Sequence, residues 1–527
     1  MQIPNGVKIP RDLLVVRETT LTYSRPLGPS EMGYLPVRNI YGFSDGFTIV
    51  TLACEGGHVI SDEQVVLATA VLRLRHPLFA ARVSFTGPIP EYVYNVPVSP
   101  AHAIKEARMQ IEFHAFTDQA EEAATLRSRW GGADLRDALD VRNGTCTVWW
   151  GRDVDQISGR YIFGLQATHF VTGGRPRLNL VREFLELLAA LGRAEAQLAA
   201  YFSGERPAVN IPASQDSLEP PLTADLEELR SGQAAFEKIM GSSMVSAIPS
   251  AGLVPDGTIE MGKVSAHIIR HEWSQAETVK ILRACKANGV TITQLANTAA
   301  ALATVEDVDG TTIGDRSTGV NDLSPTSGSY RFSLTQALDV TTKVQATQDE
   351  ERSDFVLRVS VYPINLSVPR PALAGPEGLS ALWAIARDFK AGHIAFVQSP
   401  YFWHLTRLYK PYRLLKYMAM ASGKPYVPYM SSLGDCTKLL PTRYVVTRSD
   451  VDGEGGGTRT DVRSGAVRVV NLDIAGKVIP VSDSFLLWTW DEKLHFQIRH
   501  NTSRTSVALV DPYFRRIVDM LTKIGMQ

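Results

Sequence analysis

The stretch Gln166-Ala167-Thr168-His169-Phe170-Val171-Thr172-Gly173-Gly174 decides how this chain is read. Upstream of it, Tyr161, Phe163, Leu165 and Ala167 alternate with other residues, the period of a strand with one apolar face. His169 continues that face, so its ring is expected to point where the strand's buried side chains point. The Gly173-Gly174 pair then breaks the strand and an amphipathic helical pattern begins. A histidine carried to a strand end and held at a glycine turn is well placed to take a proton, because imidazole titrates close to neutral pH. A core histidine bonded to a backbone carbonyl would give the same local pattern.

Working outward, strand-like runs cover Phe47 to Cys54, Ala81 to Phe85 and Thr145 to Trp150, and Asp62 to Arg75 has helical spacing. A long helix is expected from about Asn179, as N-cap, to Tyr201, with Val181, Phe184, Leu185, Leu188 and Leu191 forming its apolar stripe. Periodicity then stops between Glu205 and Leu222, where Pro207, Pro212, Pro220 and Pro221 cluster, which reads as a linker. Beyond it a strand is expected over Thr258 to Glu272. Ser274 to Glu277 and Thr291 to Gln294 have the form of helix-capping boxes, and Asn288-Gly289 stops the first of those helices. The division is therefore a first lobe over residues 1–205, a linker over 206–240 and a second lobe over 241–527, both lobes α/β.

Composition excludes several classes. The 527 residues are too many for one hydrophobic core. With 44% hydrophobic and 21% charged residues the chain is ordinary for a globular protein. A net charge of −1 argues against a nucleic-acid partner, and no basic amphipathic run points to a membrane surface. Cys54, Cys146, Cys285 and Cys436 are far apart and form no CxxC pair, as expected of reduced thiols in a cytoplasmic protein. His267 and His271 are four apart, but Ile268 and Ile269 between them indicate a strand, so no metal site is expected. No GxSxG elbow and no GxGxxG after a strand are present. Asp452 to Thr458 is glycine-rich without the lysine of a phosphate loop, and reads as a mobile loop.

The stretch from Thr168 to Gly174 resembles the HHxxxDG motif of the condensation-domain superfamily, the chloramphenicol-acetyltransferase-like acyltransferases. His169 fills the place of the second histidine and Gly174 that of the glycine; Thr168 stands for the first histidine and Gly173 for the aspartate. Four more segments resemble the superfamily in chain order: Tyr23 to Glu31 the opening of its fungal branch, Val359 to Arg370 the strand ending NxLPLR, Ser431-Ser432-Leu433-Gly434 the SNxG segment, and Phe485 to Asn501 the late hairpin. Among its branches the chain is most similar to fungal alcohol O-acetyltransferases.

The resemblance implies two lobes with a substrate channel at their interface, supplied by one monomeric chain. It implies His169 as the general base that activates a hydroxyl of a small secondary metabolite toward acyl-CoA, with acetyl-CoA the expected donor and no bound cofactor or metal. Ser431, Ser432 and Asn365 are the candidates for oxyanion or substrate contacts; Gly173, Gly174 and Arg370 are expected to support the site. In the family the motif aspartate pairs with the arginine closing the NxLPLR strand. Gly173 offers no carboxylate, so Arg370 is expected close to the His169 loop, with another acceptor or reaching water. Gly173 also motivates the alternative, a diverged condensation-like protein that binds or cyclises a metabolite without acyl transfer.

Overall fold

The computed structural model describes residues 15–17, 20–35, 38, 45–132, 137–155, 158–204, 211–221, 225–244, 252–258, 266–304, 329–344, 355–369, 378–410, 426–448, 465–477 and 483–526. The fold is mixed α/β and is built on two six-stranded sheets. The first has the order Arg443–Val445, Ala466–Gly476, Asp45–Glu55, Arg160–Thr168, Cys146–Asp153, Ile111–Phe116. The second has the order Ala266–Glu272, Lys493–Asn501, Ser484–Trp490, Tyr429–Asp435, Ser329–Asp339, Val359–Pro369.

Helices cover both faces of the first sheet, which is why Arg160–Thr168 is buried from Tyr161 onward. On one face Phe163 stacks on Phe184, with ring centroids 4.3 Å apart. On the other, Trp130 lies over Gly164, where a Cβ would come within 2.6 Å of the indole. A fully buried aromatic of this kind contributes roughly 1.5–3 kcal/mol. Phe184→Ala would leave a cavity costing about 3–5 kcal/mol.

Local capping fixes several helices where the sequence places them. Ser61 caps Asp62–Arg75, Ser274 caps Gln275–Ala287 and Thr291 caps Ile292–Leu302, each with a full capping box. Gly289, at φ +70, ends the second of these. The helix expected from Asn179 differs. It begins four residues after His169's neighbour Phe170, at Gly174, with Gly173 as its N-cap, and it ends at Ala189. Gly192, at φ +78, turns the chain and Arg193–Ser203 starts a separate helix. Only a glycine adopts that conformation without strain.

The stretch assigned as linker is partly ordered. It contains the helix Gln215–Leu218, and Leu226–Met244 begins inside it. Asp216 accepts from the Ser30 backbone N–H (2.8 Å) and the Lys410 ammonium (2.7 Å), and Glu219 accepts from Arg407 (3.2 Å). Charge pins this strap, and charge leaves no periodicity to read.

The sheets do not follow the division at residue 241. Ala466–Gly476 pairs antiparallel with Asp45–Glu55 and extends the first sheet. Without it the outer backbone groups of Asp45–Glu55 would lie unpaired at a sheet edge. The glycine-rich stretch Asp452 to Thr458 lies outside the described residues, as do the first residues of the strand expected from Thr258; Ala266–Glu272 is its described part.

Candidate active site at the His169 turn

The strand ends at Thr168, and His169, Phe170 and Val171 form a turn before Gly173 caps the next helix. The turn is anchored from beneath. Phe170 and Val171 are fully buried, the Tyr92 hydroxyl donates to the Phe170 carbonyl (2.9 Å), and the Thr168 N–H donates to the Thr145 carbonyl (3.0 Å). His169 does not continue the strand's buried face. Pairing has ended, so its side chain leaves the pleat; it is half-buried and lies flat on Tyr34, with ring centroids 5.0 Å apart at 9°.

The two glycines have different reasons. Gly173 sits at φ −89, ψ −177, ordinary extended backbone that any residue adopts. A Cβ on it would meet only Val359 at 3.6 Å and Pro176 at 3.7 Å. Gly174 is needed for close approach: a Cβ there would come within 2.7 Å of the Leu433 side chain.

Leu433 belongs to the second sheet, so this contact joins the two halves of the molecule. Arg175 reinforces it by donating to the Leu433 carbonyl (3.0 Å), and its guanidinium lies 3.8 Å from the Asp339 carboxylate. A register shift between Ser432 and Gly434 lets the strand turn there, with Gly434 at φ +73. Ser431 and Ser432 are half-buried, and the Ser432 and Thr293 hydroxyls lie 2.8 Å apart. The structure thus brings together the His169 turn, Gly173, Gly174, the Ser431 to Gly434 segment and the start of Val359–Pro369.

It does not bring Asn365 there. Val359, at the start of its strand, faces Gly173; Asn365 is six residues further along, about 20 Å at the rise of an extended chain. Its side-chain amide donates to the Ile239 carbonyl instead (3.0 Å). Arg370 lies outside the described residues. His267 and His271 are on a strand, and His267 meets His500 (Nδ1 to Nε2, 3.2 Å). Among the described residues no group of His, Cys, Asp and Glu is arranged to hold a metal ion, and no helix is long and apolar enough to cross a membrane.

Sequence reasoning missed a set of charged groups beneath the turn. Asp45 is paired in register with Thr168, next to His169, and is fully buried. Burial pushes its carboxyl up to about 6, against the pull of Arg38, which donates to it from Nε (3.0 Å) and Nη2 (3.3 Å). Arg175 and Arg177 stand in the Gly-Gly-Arg-Pro-Arg run directly after the motif, the one local signal that could have exposed them.

No family profile matches the chain, and no curated protein matches it in sequence. Solved structures do. Trichothecene 15-O-acetyltransferase TRI3 from Fusarium sporotrichioides superposes with a TM-score of 0.69 at 14% identity, over 96% of both chains. The condensation domain of the monacolin K polyketide synthase MokA gives 0.57 at 12% identity, over 97% of this chain and 98% of that one. The starter condensation domain of rhizomide synthetase RzmA, solved with C8-CoA, gives 0.57 at 11% identity, over 96% and 95%. With the two six-stranded sheets, these likenesses show that the chain has the fold of the condensation-domain, chloramphenicol-acetyltransferase-like acyltransferases.

Proposed function

We propose that this protein is an acyl-CoA-dependent O-acyltransferase that esterifies a hydroxyl of a small metabolite, with His169 as general base. The observation that carries the reading is the seating of the His169 turn: it is anchored from below and closed from the other sheet by the Gly174–Leu433 contact. Two solved relatives of this fold, an acetyltransferase and a domain holding C8-CoA, support a thioester donor.

An alcohol is a weak nucleophile at neutral pH, so its proton must leave as it attacks. In our reading, His169 takes that proton while the alcohol oxygen bonds to the thioester carbonyl carbon. The tetrahedral oxyanion is met by N–H or hydroxyl donors of the Ser431 to Gly434 segment. Collapse breaks the carbon–sulfur bond, and the proton passes from His169 to the departing CoA thiolate. His169 Nδ1 is shielded from solvent, so in this reading Nε2 is the nitrogen that takes the proton. The channel runs along the seam between the sheets, and a single chain supplies both of its walls. Acetyl-CoA is the proposed donor.

The test is incubation of the purified protein with acetyl-CoA and a panel of hydroxylated metabolites, reading free CoA and ester together. Ester and CoA forming in equal amounts is the expected result. Turnover of an acceptor without CoA release would favour the alternative, a condensation-like protein that cyclises its ligand, which Gly173 in place of a carboxylate motivates.

A further inference from the structure

Two guanidinium groups converge two residues before the His169 turn, and among the described residues neither is hydrogen-bonded to a carboxylate. Arg177 comes from the first turn of Gly174–Ala189 and is 5% exposed. Its Nη1 lies where a Cβ on Gly46 would stand. Arg499 comes from Lys493–Asn501 in the other sheet, and its Nη1 is 2.7 Å from where a Cβ on Gly476 would be. Gly46 and Gly476 are paired in register, so the two glycines open one space that both side chains enter. Alanine at either position would collide with a guanidinium.

The charges there do not balance. Arg177 Nε and Nη1 are buried and make no hydrogen bond. Arg499 Nε donates to the Ser484 hydroxyl (3.1 Å), a neutral acceptor. Asp45, the residue before Gly46, is the carboxylate whose charge acts on Arg177, and it is already held by Arg38 and the Leu139 N–H. Burial and the neighbouring Arg499 push Arg177 down to about 10, and burial pushes Arg499 to about 10, so both stay charged at neutral pH. A buried charge without a partner is strongly unfavourable unless something anionic completes it. Two planar forks with free N–H donors match the oxygens of a carboxylate or phosphate.

We propose that Arg177 and Arg499 form a binding site for an oxyanion group, a carboxylate or a phosphate, carried by the alcohol this protein acylates. Arg177 forms the buried end, and half-buried Arg499 forms the open end. Gly46 pairs with Ala167, so the anion would lie about 7 Å along the strand from His169, within the span of a small hydroxy acid. The identity of the anion's carrier as acceptor rests on the acyl-transfer reading; the anion site itself does not.

The experiment is a set of melting curves of the full chain in sodium chloride, malonate or inorganic phosphate at matched ionic strength. A ligand that binds only the native state raises the melting temperature in a saturable way. The expected result is such a rise, by several degrees, with at least one of the two anions; which one responds distinguishes carboxylate from phosphate. Arg177→Met and Arg499→Gln should each lose the rise. Arg177→Met should also melt at or above the wild type without anion, because it removes an uncompensated buried charge. No saturable rise in the wild type with either anion, or the same rise in both variants, overturns the proposal. Because melting needs no turnover, a protein that binds the anion but releases no CoA would refute the acyl-transfer reading alone.

Discussion

In each sheet a hairpin carries a histidine near its end and runs into a long helix, and the two histidines meet opposite surroundings. In the first sheet Cys146–Asp153 and Arg160–Thr168 lead through the His169 turn into Gly174–Ala189. In the second, Ser484–Trp490 and Lys493–Asn501 lead past His500 into Val507–Met526. His500 is still inside its strand, paired in register with His267, and is fully buried. Its Nδ1 donates to the Thr505 carbonyl (2.9 Å), so its Nε2 is left to accept from His267. Burial and His267 push it down to about 4. His169 stands one residue past the end of its strand, half-buried on Tyr34. A single step beyond the last paired residue separates a fully buried histidine, held neutral, from a half-buried one.

The helices that follow are anchored by different chemistry, and pH should separate them. The largest stability effect is expected at His500. Its folded pKa of about 4 lies below the unfolded 6.5, so between those values the unfolded chain binds more protons and stability falls as pH drops. The loss across that window is about 3 kcal/mol. His500→Gln should remove this slope, read as the change in melting temperature between pH 7 and pH 4. An unchanged slope would mean that His500 is not held neutral.

Glu183 should give a smaller effect in a more acidic window. Burial acts to raise its carboxyl, but hydrogen bonds and charge from His76 and Arg75 outweigh it and hold it at about 2. The group therefore stabilises the fold above pH 4.5, and that contribution is lost as pH falls toward 2. Glu183→Gln should cost about 2 kcal/mol at pH 7, since the carboxylate is partly exposed, and the gap to wild type should close on acidification. A gap that persists at low pH would assign the effect to packing.

Arg175→Ala should cost least, about 1 kcal/mol, because it removes one charge-assisted bond to the Leu433 carbonyl at a half-exposed position. Urea midpoints at neutral pH measure it. A cost of several kcal/mol would mean that Arg175 carries more of the contact between the sheets than the Gly174–Leu433 packing does.

What was legible in the sequence follows from range. The capped helices at Asp62, Gln275 and Ile292 were readable because cap and helix lie within four residues. Arg160–Thr168 was readable from its alternation, and the glycine break marked where His169 leaves it. The pairing of Ala466–Gly476 with Asp45–Glu55 was not, because partners hundreds of residues apart share no local pattern. Asn179 was mistaken for a cap because the true cap, Gly173, has no side chain to announce it. Asn365 was misplaced for a related reason: a long strand gives no internal mark of which end meets the site, and Val359 does so. The arginines around Gly46 were invisible as a group, since Arg38, Arg177 and Arg499 come from three distant segments.

If His169, and not its counterpart His500, is the base of the proposed acyl transfer, variants at the two positions must differ in rate. The direct measurement is alcohol-dependent release of free CoA from acetyl-CoA by His169→Ala and His500→Gln, side by side at pH 7, with folding of each confirmed by melting. His169→Ala is expected to fall by about 10²–10⁴ in rate with its fold retained. His500→Gln is expected to keep wild-type turnover per folded molecule. A folded His169→Ala that stays within about tenfold of wild type would rule out His169 as the base.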